Sequence, residues 1–125
     1  SDDYLRAMAE YIVIMIANNT AANARRQYAE VLHLFVPEKF NEYRERFNNL
    51  ATAIERFPTI TYSISFGGRN HVEQVDGHLL RVHTIKRRIV GNEVPKLENM
   101  VYEIDYKLDH GRFWIVDVKE IKDAA

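Results

Sequence analysis

Residues 96–122, KLENMVYEIDYKLDHGRFWIVDVKEIK, constrain this chain more than any other stretch, because their spacing predicts two long strands joined by a tight turn. Met100, Tyr102, Ile104, Tyr106 and Leu108 alternate with Val101, Glu103, Asp105 and Lys107, so one face of the first strand is apolar and the other mostly charged. Past a break at residues 109–112, Trp114, Val116 and Val118 share one face of the second strand, while Phe113, Ile115 and Ile121 share the opposite one. Such a hairpin is not stable alone in water and requires helices as cover. Trp114, Val116 and Val118 are expected to face those helices. Phe113, Ile115 and Ile121 then need another cover, from this chain or from a neighbouring subunit.

The preceding residues supply the helices. A first helix is expected over residues 1–17, with Asp2 and Asp3 favoured by the positive end of the helix dipole. Leu5, Met8, Ile12, Met15 and Ile16 form its stripe, and Tyr4, Tyr11 and Ile14 make it apolar on more than one side. Asn18-Asn19-Thr20 has the form of a glycosylation sequon, but a helix stop followed by Thr20 as the next N-cap accounts for it. A second helix over residues 21–35 buries Ala24, Tyr28, Val31, Leu32 and Phe35, and Val36-Pro37 ends it. Pro37 suits the first turn of a third helix, in which Phe40, Tyr43, Phe47, Leu50, Ile54 and Phe57 recur at helical spacing as a core stripe.

Pro58 stops that helix, and residues 59–66 (TITYSISF) alternate as a first strand. Residues 67–70 read as a turn. Gly77 is expected to be a bulge within one long bent strand reaching about residue 90, because a hairpin at Asp76-Gly77 would leave two short strands. Residues 91–95 turn the chain back into the final hairpin. The expected fold is therefore α+β: three N-terminal helices packed on a curved, four-stranded antiparallel meander.

A length of 125 residues suits one domain, and a formal net charge of -1 gives no general attraction to nucleic acid or anionic membranes. The absence of cysteine excludes disulfides, thiolate nucleophiles and thiolate metal sites. The most apolar run, residues 11–17, is far shorter than the roughly 20 residues needed to span a bilayer. His78 and His83 are five apart in a strand and so point to opposite faces, His71 and His78 fail in the same way unless a bulge intervenes, and His33 stands alone on a helix, so no metal site is expected. Ser63 and Ser65 lack a nucleophile elbow, and Gly67-Gly68 lacks the lysine of a phosphate loop. Glu103 and Asp105 read as a solvated face. Lys86, Arg87 and Arg88 read as a solvated edge that discourages strand pairing, and no nucleic-acid partner is expected. No catalytic, cofactor-binding or metal-binding residue is assigned. Spare apolar surface makes Tyr4, Tyr11, Ile14, Phe113, Ile115 and Ile121 the candidate protein-interface residues, with weak self-association expected.

YLRAMAEY near the start, NNT at 18–20, RRQYAEVLHLFVPEKF at 25–40, VEQVDGHL at 72–79 and GRFWIVDVKE at 111–120 together resemble the TraE family of conjugative pilus and type IV secretion proteins, itself similar to VirB-eight-like scaffold components. The resemblance implies a fold like nuclear transport factor two (NTF2-like) and supports Gly77 as an in-strand glycine. It also implies a single periplasmic domain, residues 1–125, of a protein anchored in the bacterial inner membrane by one spanning helix upstream of Ser1. The implied role is non-enzymatic: a scaffold that self-associates and contacts other secretion subunits. The Asn-Pro-x-Gly loop linked with self-association in VirB-eight-like relatives is absent, residues 91–95 (GNEVP) being the nearest candidate. An alternative on the same fold is a small-molecule-binding or isomerase-like enzyme, with an acid such as Asp105 and a tyrosine such as Tyr62 or Tyr102 facing a cavity.

Overall fold

The computed structural model describes residues 2–123; Ser1, with which the first helix was expected to open, lies outside them. Three helices, α1 (Asp2–Ala17), α2 (Ala24–Leu32) and α3 (Pro37–Glu55), precede five strands, β1 (Ile60–Phe66), β2 (Val72–Asp76), β3 (Leu79–Val90), β4 (Lys96–Asp109) and β5 (Arg112–Lys122). The second helix is shorter than its apolar pattern. Residues 21–23 form a turn in which the Thr20 backbone N–H donates to Asn23 Oδ1 at 2.8 Å, so Asn23, not Thr20, precedes the helix. At the other end, residues 34–36 leave the helix to run beside β5, with Ile115 N–H donating to Leu34 O at 2.7 Å and Val36 N–H to Ile115 O at 2.9 Å.

α1 buries Leu5, Ala9, Ile12, Val13 and Ala17. Beneath α2 and α3 the rings of Tyr28, Phe35, Tyr43 and Phe47 form one cluster, with centroids between 4.1 and 5.8 Å apart. The α3 stripe departs from expectation at its C-terminal half. Tyr43, Phe47 and Ala51 are buried, Phe40 and Ile54 are half-buried, but Leu50 is 45% and Phe57 59% exposed. Ala51 takes the inward position, where a small side chain lets the helices approach, and Leu50 is turned to the side of the contact.

The sheet has five strands rather than four. β1 and β2 both pair antiparallel with β3, one after the other along the same edge: Ile60↔Val90 to Phe66↔Thr84, then Val72↔Val82 to Asp76↔Leu79. The expected turn and the expected bulge have thus exchanged places. Residues 67–71 only interrupt the edge, since Gly67 N–H donates to His83 O at 3.0 Å and His83 N–H to His71 O at 2.8 Å, tying both sides of the gap to β3. Gly68, at φ +84°, supplies the sidestep. The true hairpin lies at residues 77–78, where Asp76 Oδ1 accepts from the His78 backbone N–H at 2.9 Å and closes the turn without any left-handed glycine.

β4 and β5 are joined at His110-Gly111, both with positive φ (53° and 79°), the backbone that a two-residue hairpin turn matching strand twist requires. Their register holds Asp105 opposite Asp117 but Tyr106 opposite Ile115, so Val116 is one residue too many. This bulge corrects the predicted faces of β5. Phe113 and Ile115 point inward and are buried, as is Val118, whereas Trp114 and Ile121 lie on the outer face. Phe113 stacks on Tyr106 at 5.0 Å and needs no second subunit for cover.

Replacing the two ends of the α3 stripe separates core from surface. Phe47→Ala should destabilise the domain by about 3–5 kcal/mol, and Phe57→Ala by no more than about 0.5 kcal/mol, read from urea unfolding midpoints at constant slope. Equal losses would contradict the described packing.

Candidate binding cavity

Leu50 and Phe57 border a cavity of about 660 Å³ between the C-terminal half of α3, the end of α1 and the inner face of the sheet. Its apolar walls come from Ile16, Phe47, Leu50, Ile54, Phe57 and Ile60, and its polar groups from Arg46, Tyr62, Lys86, Arg88, Tyr102 and Glu120. Strand parity explains the polar set. Leu80, Val82 and Thr84 are buried on the inner face of β3, and continued alternation points Lys86 and Arg88 the same way, with Arg87 outward. The basic run is therefore split across the two faces of a central strand and is not a solvated edge, since β3 is flanked by β1 and β2 on one side and β4 on the other.

The floor is a hydrogen-bonded network. Lys86 Nζ lies 3.1 Å from Glu120 Oε2 and 5.1 Å from the centroid of the Tyr62 ring, and the Tyr102 hydroxyl donates to the same carboxylate oxygen at 2.5 Å. Asn19 Nδ2 donates to the Tyr28 hydroxyl at 3.2 Å, while the backbones of Asn19 and Tyr62 exchange two hydrogen bonds of 2.9 Å that seal the edge of β1. On α3, the Arg46 guanidinium sits 4.5 Å above the Tyr43 ring, and the Tyr43 hydroxyl donates to Asp117 and accepts from Val118 N–H at 3.0 Å. Arg88 makes no side-chain hydrogen bond or ion pair among the described residues. Three cations thus face one carboxylate around an apolar hollow.

Burial makes three of these phenols reluctant acids. Desolvation pushes Tyr28 up to about 12, against a weaker opposing effect of its bond with Asn19. Tyr102 is raised by desolvation and then by the charge and hydrogen bond of Glu120, and Tyr43 by desolvation and by its bond with Asp117. All three act as fixed hydrogen-bond groups at neutral pH rather than as proton-transfer groups.

Of the expected interface residues, Tyr4, Tyr11 and Ile14 are exposed on α1 and Ile121 is exposed on β5, while Phe113 and Ile115 are core. Asp105 does not join Tyr62 and Tyr102: it points to the outer face, where it lies 3.2 Å from His78 Nδ1. Glu103 beside it pairs with Arg81 at 2.8 Å. Asp105 therefore does not serve as the acid of the isomerase-like alternative; the carboxylate that meets Tyr102 in the cavity is Glu120. Among the described residues no group of His, Asp and Glu is arranged to hold a metal ion. The cavity residues Lys86, Arg88 and Glu120 went unassigned in the sequence; parity with Leu80 and Val82 marks the first two, whereas Glu120 turns inward only through the bulge at Val116.

A family model described as TraE protein matches residues 1–120. No protein of curated function matches significantly in sequence. Among solved structures, VirB8 of Agrobacterium tumefaciens superposes with a TM-score of 0.81 at 13% identity, covering 97% of this chain and 92% of that one. A TrwG component of the type IV secretion system of Bartonella birtlesii gives 0.79 at 6% identity, over 100% and 94%. A TraE protein in complex with 2-(2-furyl)isonicotinic acid gives 0.76 at 12% identity, over 98% and 97%. The α+β, NTF2-like architecture expected from the sequence is the architecture of these proteins, with a fifth strand in the sheet.

A group whose pKa is higher folded than unfolded binds its proton more tightly in the native state, so its stabilisation is complete below the unfolded value of about 10 and fades above it. Tyr28, with a folded value of about 12, makes stability fall between about pH 10 and 12. Absorbance at 295 nm should show the signal of Tyr28, Tyr43 and Tyr102 appearing only with unfolding. Reversible ionisation of all seven tyrosines at about pH 10, with native circular dichroism retained, would contradict this.

Proposed function

The chain belongs to the TraE protein family, and from that membership we propose that it acts as a non-enzymatic assembly scaffold of a type IV secretion or conjugation apparatus. The observation that carries this reading is the family match over residues 1–120, joined to a fold shared over more than nine-tenths of its length with VirB8 and TrwG. In this reading it is the periplasmic domain of an inner-membrane protein, held by a spanning helix upstream of Ser1. No helix of the described residues is long and apolar enough to cross a membrane. The domain self-associates and contacts other subunits of the channel. Support for the first contact comes from α1, where Tyr4, Tyr11 and Ile14 recur on an exposed face while Leu5, Ile12 and Val13 anchor the opposite face in the core. A helix fixed by one face presents the other rigidly, so association through it costs little ordering.

The cavity favours a second capacity on the same scaffold, the binding of small aromatic carboxylic acids. A related TraE protein is described in complex with 2-(2-furyl)isonicotinic acid, and apolar walls with three cations suit a flat ring carrying one carboxylate. Binding of this kind needs no catalysis.

Two measurements test the scaffold reading. The full reading frame should carry a spanning segment just upstream of Ser1 among transfer genes, and its absence would overturn the membrane placement. Sedimentation of the domain should show a weak, concentration-dependent dimer that Tyr11→Glu shifts to monomer by at least roughly tenfold in Kd, the cost of burying one unpaired charge. A strictly monomeric domain at high concentration, joined to its upstream segment, would overturn self-association.

A further inference from the structure

We propose that the cavity is the docking pocket for a segment of another protein that carries an apolar side chain next to a carboxylate, an acidic and apolar peptide rather than a free metabolite. This rests on the scaffold reading, in which the domain meets other subunits. Three features select that occupant. The entrance is bordered by Leu50 and Phe57, 45% and 59% exposed, which in a closed small-molecule site would turn inward around the ligand. Large apolar groups left at a mouth fit an occupant that continues outward across the surface, as a polypeptide does.

The second feature is charge. Lys86 is already paired with Glu120 at 3.1 Å, but Arg88 faces inward from the neighbouring even position of β3 with no partner among the described residues. A guanidinium with its donors free is matched by a carboxylate, which it binds through two parallel hydrogen bonds. The third is position. Arg88 stands opposite Tyr62 in the β1–β3 register, and both line the cavity together with Leu50 and Ile54, so a carboxylate on Arg88 brings its adjoining side chain to the apolar walls. The peptide's apolar group fills the hollow, its acid satisfies Arg88, and its backbone leaves past Phe57.

The test uses the chain itself with a fluorescein-labelled peptide, Gly-Ser-Leu-Phe-Asp-Glu-Ser-Gly, and its isostere with Asn and Gln replacing the two acids. Polarisation should report binding of the acidic peptide that weakens roughly tenfold or more in the isostere and in Arg88→Ala, the loss expected for a charge-assisted bidentate contact. Raising salt from about 50 to about 300 mM should weaken it further. Arg88 is exposed and unpaired, so Arg88→Ala should keep its melting temperature; Leu50→Glu, on the apolar wall, provides a second variant expected to abolish binding. Equal affinity for both peptides, indifference to Arg88→Ala, or no binding at millimolar peptide would each overturn the proposal. Binding of 2-(2-furyl)isonicotinic acid without peptide binding would also overturn it, while leaving the scaffold reading to its separate sedimentation test.

Discussion

One surplus residue in β5 sets the inner surface of this domain. Were β5 regular, the parity that buries Phe113 and Ile115 would carry Asp117, Lys119 and Ile121 inward; with Val116 inserted, Val118 and Glu120 take those places instead. The bulge is held from outside the strand by the Tyr43 hydroxyl, which donates to Asp117 and accepts from Val118 N–H, so a residue of α3 reads the irregularity directly. A bulge leaves backbone and side-chain polar groups off the ladder, and a buried group without a partner is costly. Here the phenol satisfies them. Because Tyr43 also packs on Phe35 and Phe47, the aromatic core and the phase of the last strand are one arrangement.

Each sheet edge is covered over a short stretch in the same way. Residues 18–20, at the end of α1, lie along β1, with Asn18 Oδ1 accepting from Ile64 N–H at 3.0 Å, and residues 34–36 lie along β5. Both connections between helices therefore serve as short strands. This explains why α2 stops before its apolar pattern does: Phe35 remains buried, but as a strand-like residue bridged to Ile115 rather than as the last turn of a helix. Covering an edge prevents indiscriminate strand addition.

Much of this was legible in residue order, because helical and strand periodicities are strong signals when one face is buried. The three helices, the alternation of residues 60–66 and the inward face of β4 through Met100, Tyr102, Ile104 and Tyr106 follow from it. The failures in the sheet share one cause. Periodicity gives phase only while the register is unbroken, and the gap at residues 67–71 and the extra Val116 break it through backbone bonds to distant residues, His83 and Tyr43. Gly77 misled for the same reason: glycine reads equally as bulge or turn, and the Asp76 carboxylate decided between them. Leu50 failed differently, since a heptad-like stripe cannot tell a residue packed on the sheet from one beside a hollow.

The two strand cations that line the hollow differ in exposure and in partners. Lys86, the more enclosed of its strand cations, carries its own counter-charge in the exposed Glu120 carboxylate, to which the Tyr102 phenol also donates. Arg88 lies nearer the surface, where water screens it and no internal partner is needed. An arriving anion would thus displace water from Arg88 rather than break an internal ion pair. With Lys86 compensated and Arg88 not, Arg88 is the readier of the two strand cations for an anion in the proposed site.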